Sequence, residues 1–217
     1  MTRDWYAWHH HYEDPTSSLS RRLVEVRQRI GAALDEAPPG PLRAVSLCAG
    51  QGRDLIPVLA SHRRGREVRA RLVELDPRNV ELARAAAREA GLSSVEVVLG
   101  DAARTDAYAG LVPADLVLAC GIFGNISDAH VRDLVRHCAS LCATGGTVLW
   151  TRHRKPPDLV PVICEWFAAE GFEPVAVSTP AEDIGVGEHR FLGPPRPLPA
   201  GATMFEFTMG RQDTQPG

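Results

Sequence analysis

Lysine is almost missing from this chain. Lys155 is the only one, although Lys and Arg together number 24. The arginines are scattered along the sequence, and the formal net charge is −3 with a pI near 6.2. A chain of this kind lacks the positive field that draws a protein to nucleic acid or to an anionic membrane. Long apolar runs are missing as well, since nothing approaches the ~18 consecutive apolar residues of a membrane span. The opening MTRDWYAWHHHYED has no apolar stretch of the secretory-signal type. Cys48, Cys120, Cys138, Cys142 and Cys164 contain no C-x-x-C spacing, and most sit in apolar stretches. They read as small buried hydrophobes in a reducing compartment. The expectation is a cytoplasmic protein with no nucleic-acid and no membrane partner. Oligomeric state is not readable.

What is present is 44% hydrophobic residues in 217, enough to bury one core. Leu19, Leu23, Val26, Ile30 and Leu34 recur at helical spacing, with Ser17 or Ser18 as a cap. The run Pro38-Pro39-Gly40-Pro41 ends that helix. Residues 1–40 are therefore expected to form an N-terminal helical arm or lid, and residues 41–217 the main domain.

From Ala44 onward, short apolar runs alternate with helical patterns. Strands are expected at Ala44–Cys48, Ala70–Glu74, Val95–Leu99, Asp115–Cys120 and Thr147–Thr151. Helices are expected after most of them, one with Asp76 as cap and Pro77 at its first position. Two last strands are expected at Val175–Ser178 and Thr203–Thr208, with loop between them that includes GPPRPLPAG. This order implies an α/β fold: a doubly wound, mostly parallel sheet with helices on both faces and an antiparallel pair at one edge. In such sheets the ligand lies beyond the carboxyl ends of the strands.

Three strand ends carry chemistry. The first, SLCAGQGRD, contains Gly50 and Gly52 but has Leu55 where a dinucleotide turn has its third glycine. Taken alone it is either a ligand cradle or an ordinary tight turn. The second, LVELDPRN, places Glu74 where an acid can accept both hydroxyls of a ribose. The other reading is a solvated strand-end charge. The third, VLGDA, places Asp101 to accept an adenine amine and the Ala102 N–H to donate to a ring nitrogen. Gly-Asp is also a common turn.

Together these motifs resemble the class I, Rossmann-like S-adenosylmethionine-dependent methyltransferases. The resemblance covers roughly residues 40–180 and implies a seven-stranded sheet with one antiparallel strand. It implies S-adenosyl-L-methionine as cofactor, with Ala49, Gly50, Gln51 and Gly52 beneath the methionine part. Glu74 and Leu75 would hold the ribose end, Asp101 and Ala102 the adenine, and Gly121 and Ile122 further cofactor contacts. The Asn/Asp-Pro-Pro-aromatic motif of some N-methyltransferases is absent after the fourth strand. Arg53-Asp54 either contacts the methionine end or simply begins a helix.

The densest basic cluster, Arg152-His153-Arg154-Lys155, follows the fifth strand. Arg152 or Arg154 there would anchor an anionic small-molecule substrate, or the cluster is a solvated loop. His153 is the best placed of three candidate bases, the others being His11 and His189. Trp8 and Tyr12 are candidate lid residues. His9-His10-His11 is not read as a metal site, because three consecutive residues cannot all face one ion from a regular element. The expected function is methyl transfer to a small molecule. Methylation of RNA or protein, another Rossmann-like activity, and cofactor binding without catalysis are the alternatives.

Overall fold

The computed structural model describes residues 6, 12, 14 and 16–208. Helix α1 (Ser18–Glu36) is capped by Ser17, whose hydroxyl accepts from the Ser20 N–H. Then follow β1 (Leu42–Leu47), α2 (Leu55–Ser61), β2 (Val68–Glu74), α3 (Pro77–Glu89), β3 (Val95–Leu99), β4 (Ala114–Ala119), α4 (Asp128–Leu141), β5 (Cys142–His153), α5 (Val160–Ala169), β6 (Phe172–Val177) and β7 (Ile184–Phe191). Asp76 caps α3, with Pro77 in its first turn. That is the arrangement the sequence pattern predicts.

The seven strands form one sheet in the order β3-β2-β1-β4-β5-β7-β6. β7 runs antiparallel to both β5 and β6, and the remaining neighbours pair in parallel. Consecutive strand residues point to opposite faces, and two separate cores result. Ala44, Leu72, Leu116 and Leu149 pack with α1, α2 and α3 on one face. Val45, Val73, Val117 and Val148 pack with α4 and α5 on the other. Both faces are thus buried, which is why the strands read as nearly continuous apolar runs.

Helix α1 adds Val26, Ile30, Ala33 and Leu34 to the first core. Its C-terminal end is clamped by the buried Arg64. Nη1 donates to the Leu34 and Ala37 carbonyls, Nη2 to those of Pro38 and Gly40, and Nε to Glu67. All five N–H groups of that guanidinium are used.

One strand differs from expectation. The last strand is not Thr203–Thr208 but Ile184–Phe191, in a stretch expected to be loop. Its sequence, IGVGEHRF, has two glycines and three polar residues, so it does not read as a strand. The glycines are there for packing. A Cβ on Gly187 would lie 2.2 Å from the Trp150 ring, and one on Gly185 would lie 2.7 Å from Val160. Residues 203–208 instead form a strap across the carboxyl ends of β3 and β4. It is held by Met204 N–H to the Ala103 carbonyl at 2.8 Å and by Thr208 N–H to the Asn125 carbonyl at 3.0 Å.

Candidate functional site

A cavity opens at the carboxyl ends of β1, β2, β3 and β4. Their neighbouring connections diverge on either side of β1 and β4, which creates the crevice. The cavity is lined by Ala49 and Gly50 after β1, Glu74 and Leu75 at β2, Asp101 and Ala102 after β3, and Cys120 and Gly121 after β4.

The turn after β1 is shaped by backbone conformation. Cys48, Gly50 and Gly52 all have positive φ, at 50°, 55° and 67°. For Cys48 this left-handed conformation carries strain, which side chains tolerate only where the surroundings enforce it. A Cβ on Gly52 would lie 2.5 Å from Ile56 Cδ1 and 3.0 Å from Leu72 Cδ2. Gly52 therefore lets α2 sit close on β2. It does not itself line the cavity.

Glu74 is 8% exposed. Its Oε2 accepts from the Gly50 N–H at 2.8 Å, and its Oε1 accepts from the Asp76 N–H at 2.9 Å. The carboxylate thus ties two strand-end turns together and keeps acceptor capacity toward the cavity. Asp101 is exposed and accepts from the Ala103 N–H at 2.9 Å. Burial pushes the Cys48 thiol well up, and the neighbouring Glu74 and Asp101 carboxylates add to it. Cys48 is therefore a neutral wall of the site, not a nucleophile.

The far wall comes from α1 and Tyr12. Arg22, Leu23 and Val26 line it together with Arg53 and Asp54. The Tyr12 ring packs against the Arg22 guanidinium at 5.7 Å and the Arg53 guanidinium at 5.8 Å, and its hydroxyl accepts from Arg22. Arg27 reaches from α1 to the turn, donating from Nε and Nη2 to the Arg53 carbonyl at 2.8 and 2.6 Å. Asp54 starts α2, accepting from the Leu55 N–H at 2.7 Å. Burial raises its carboxyl above the usual range, partly opposed by that bond and by Arg22 and Arg27.

Of the residues singled out by sequence, Tyr12, Ala49, Gly50, Glu74, Leu75, Asp101, Ala102 and Gly121 meet at this cavity. Gln51, Gly52, Ile122, Arg152, His153 and Arg154 do not line it. Ile122 is fully buried in the α4–α5 core. Arg152 donates to the Phe123 carbonyl and, at 3.2 Å, to Asp128. Arg154 donates to Asp158 and to the Ser178 carbonyl, both at 2.6 Å. These arginines brace loops, and neither lines this cavity. His153 lies against Gly124, and burial lowers its pKa, helped by Arg152 and Lys155. His189, another candidate base, is fully buried in the far core. Trp8, His9, His10 and His11 lie outside the described residues.

Sequence reasoning missed Arg22, Leu23, Val26, Asn79 and Phe207 as lining residues. Two signals were present. Asn79 heads the stripe Asn79-Ala83-Ala87 along the inward face of α3, where a polar residue is out of place. Met204, Phe205 and Phe207 fit the apolar pattern of a sheet strand, but in the strap Met204 and Phe205 are buried and Phe207 turns to the cavity. No helix among the described residues is long and apolar enough to cross a membrane.

A family model described as a methyltransferase domain matches residues 44–146. No curated protein matches the chain. Solved structures share its fold at low identity. One is an O-methyltransferase family protein from Burkholderia thailandensis, with TM-score 0.59 and 18% identity over 78% of this chain and 57% of that one. The chain thus spans little more than half the length of that protein. Another is a precorrin-6y C5,15-methyltransferase from Geobacter metallireducens, with TM-score 0.57 and 13% identity over 76% of this chain and 88% of that one. A third is a glycopeptide N-methyltransferase complexed with S-adenosyl-L-methionine, with TM-score 0.57 and 14% identity over 76% and 93%.

Proposed function

We propose that this chain, a class I S-adenosylmethionine-dependent methyltransferase by the family of its residues 44–146 and by its fold, transfers a methyl group to a small-molecule acceptor. The observation that carries the acceptor class is the covering of the cavity. Tyr12, Arg22, Leu23 and Val26 wall one side and Phe207 of the strap borders another. A covered cavity suits a ligand that enters whole, and a net charge of −3 offers a nucleic acid no general attraction.

The residues present suit the cofactor. Glu74 would take the ribose hydroxyls and Asp101 with Ala102 the adenine edge. The turn at Ala49 and Gly50 would pass beneath the methionine part. Asp54, a carboxyl that accepts from the first N–H of its own helix, is suited to the methionine amine, and Arg53 to its carboxylate. S-adenosylmethionine supplies a methyl group on a sulfonium, already activated toward a nucleophile. What remains for the protein is alignment and exclusion of water. The apolar side chains of Leu23, Val26 and Phe207 and the neutral thiols of Cys48 and Cys120 serve the second task. A base is required only for a neutral hydroxyl or amine acceptor.

The test is S-adenosylhomocysteine release from the purified chain, with S-adenosylmethionine and panels of small amines, phenols and carboxylates against total RNA and protein. Turnover with a small molecule supports the reading. Turnover confined to RNA or protein refutes the acceptor class.

A further inference from the structure

We infer that Asn79 donates a hydrogen bond to a ribose hydroxyl of S-adenosylmethionine, and that a relay of side chains beginning at Arg53 aims it. The inference rests on the ribose role proposed for Glu74.

The relay has a direction that chemistry dictates. A guanidinium can only donate. Arg53 Nε donates to Gln51 Oε1 at 2.8 Å, so the Gln51 oxygen is committed and its nitrogen points onward. Gln51 Nε2 then donates to Asn79 Oδ1 at 3.1 Å, which commits the Asn79 oxygen in turn. What remains is Asn79 Nδ2. That nitrogen is buried and has no hydrogen-bond partner among the described residues. Exchanging the O and N atoms of either amide does not relieve this. Turning Gln51 alone sets its NH2 against the Arg53 N–H, and turning Asn79 alone sets NH2 against NH2.

Asn79 is 0% exposed, and a buried donor without an acceptor is costly. Its position gives that nitrogen a use. Asn79 lines the same cavity as Gly50, Glu74 and Leu75. The Glu74 carboxylate only accepts, so it binds ribose hydroxyls through their hydrogens. Each hydroxyl then keeps oxygen lone pairs that call for a donor. Glu74 and Asn79 together offer the acceptor and the donor that a hydroxyl pair needs. Gln51, which does not line the cavity, gains a role as the side chain that orients Asn79. The relay is anchored from outside, because Arg27 on α1 pins the Arg53 carbonyl.

The experiment is calorimetric titration of the full chain with S-adenosylhomocysteine and with its 2′-deoxy and 3′-deoxy analogues, with thermal unfolding as a check on folding. The variants are Asn79→Ala, Gln51→Glu and, as control, Glu74→Ala. Gln51→Glu keeps the size of the side chain but cannot donate. It therefore turns the Asn79 amide, so that an oxygen stands where the unpartnered nitrogen did. Asn79→Ala and Gln51→Glu should each weaken S-adenosylhomocysteine about 10-fold, the effect of one lost buried bond. For one of the two deoxy analogues, each should bind like the unaltered chain. Equal losses for all three ligands would mean a merely structural role and overturn the inference. So would unchanged affinity in both variants, which would assign Nδ2 to a water. If Glu74→Ala is also silent, the ribose reading itself fails. If Glu74→Ala weakens binding and the other two variants do not, only the relay fails.

Discussion

The Gly50 N–H donates to Glu74 Oε2 at 2.8 Å, so the residue proposed to hold the ribose also fixes the turn proposed to pass beneath the methionine part. The same carboxylate accepts from the Asp76 N–H, just before α3. One side chain therefore sets the spacing of two strand-end loops. Glu74→Ala removes a charged acceptor from both backbone donors and from the ligand. S-adenosylhomocysteine affinity should fall ~10- to 100-fold, the range of one or two hydrogen bonds to a charged group. Glu74→Gln should keep part of the turn and lose less. Calorimetry reads both, and equal affinities for all three proteins would remove Glu74 from the site.

Phe207 gives a second prediction. It is 40% exposed and lines the cavity beside Asp101 and Ala102. The strap carrying it is tied to the loops after β3 and β4 by backbone bonds from Met204 and Thr208, which fix the backbone on either side of the ring. Phe207→Ala leaves those bonds intact. It should weaken S-adenosylhomocysteine by about 3- to 10-fold, the worth of one aromatic contact, with little change in melting temperature. A large drop in melting temperature with unaltered affinity would instead make Phe207 a packing residue.

How much of this was legible in the sequence depended on what each signal encodes. The five parallel strands were readable because burial on both faces leaves nearly unbroken apolar runs such as ADLVLA, bounded by turn residues. Glu74 and Asp101 were readable because a charge directly after such a run must lie at the sheet's carboxyl edge. β7 was not readable, since its glycines and its buried Glu188 and His189 answer to particular partners on β5 and on the packed helices: Trp150, Val160 and Arg29. Arg152 and Arg154 carry a related ambiguity. A cationic cluster announces that anions are near, but not whether they are a ligand or the chain's own Asp128, Asp158 and carbonyl oxygens.

That distinction can be measured. Arg152 links β5 to the loop after β4 and to the first turn of α4 through Phe123 and Asp128. Arg152→Ala should lower unfolding free energy by about 1–3 kcal/mol, the range for lost hydrogen bonds from a charged group. Affinity for S-adenosylhomocysteine should stay within about two-fold, a difference below ~0.5 kcal/mol. A selective loss of affinity for an anionic acceptor, with stability unchanged, would restore Arg152 as a substrate anchor.

Gly187 tests the packing account of β7. The Trp150 ring lies flat over it, with three ring atoms within 2.6 Å of where a Cβ would be. Trp150 is fully buried and stacks between Phe123, Phe167 and His189, so it has nowhere to retreat. Gly187→Ala should cost at least about 1–3 kcal/mol of stability, the usual penalty of overpacking a core. Denaturant unfolding checks this, and a neutral result would show that the stack has slack.

His189 sets the acid limit of that same core. It is fully buried, accepts from Trp150 Nε1 at 3.1 Å through Nδ1 and stacks on Phe167 at 4.6 Å. Burial lowers its pKa from 6.5 to about 4, since a charged imidazole has no solvation there. In the unfolded chain it takes up a proton near the ordinary value, so the folded form is favoured in full above pH 6.5. That advantage, ~3 kcal/mol by proton linkage, is lost as pH falls from 6.5 toward 4. Carboxylates titrate in the lower part of the same window, so the informative quantity is a difference between two proteins. His189→Phe keeps the stack, leaves the Trp150 N–H without its acceptor and should start out less stable at neutral pH. Its unfolding free energy should then decline less on acidification, and the two stability curves should converge by ~3 kcal/mol between pH 6.5 and pH 4. Curves that stay parallel through this interval would mean that His189 takes up its proton alike in the folded and unfolded chain.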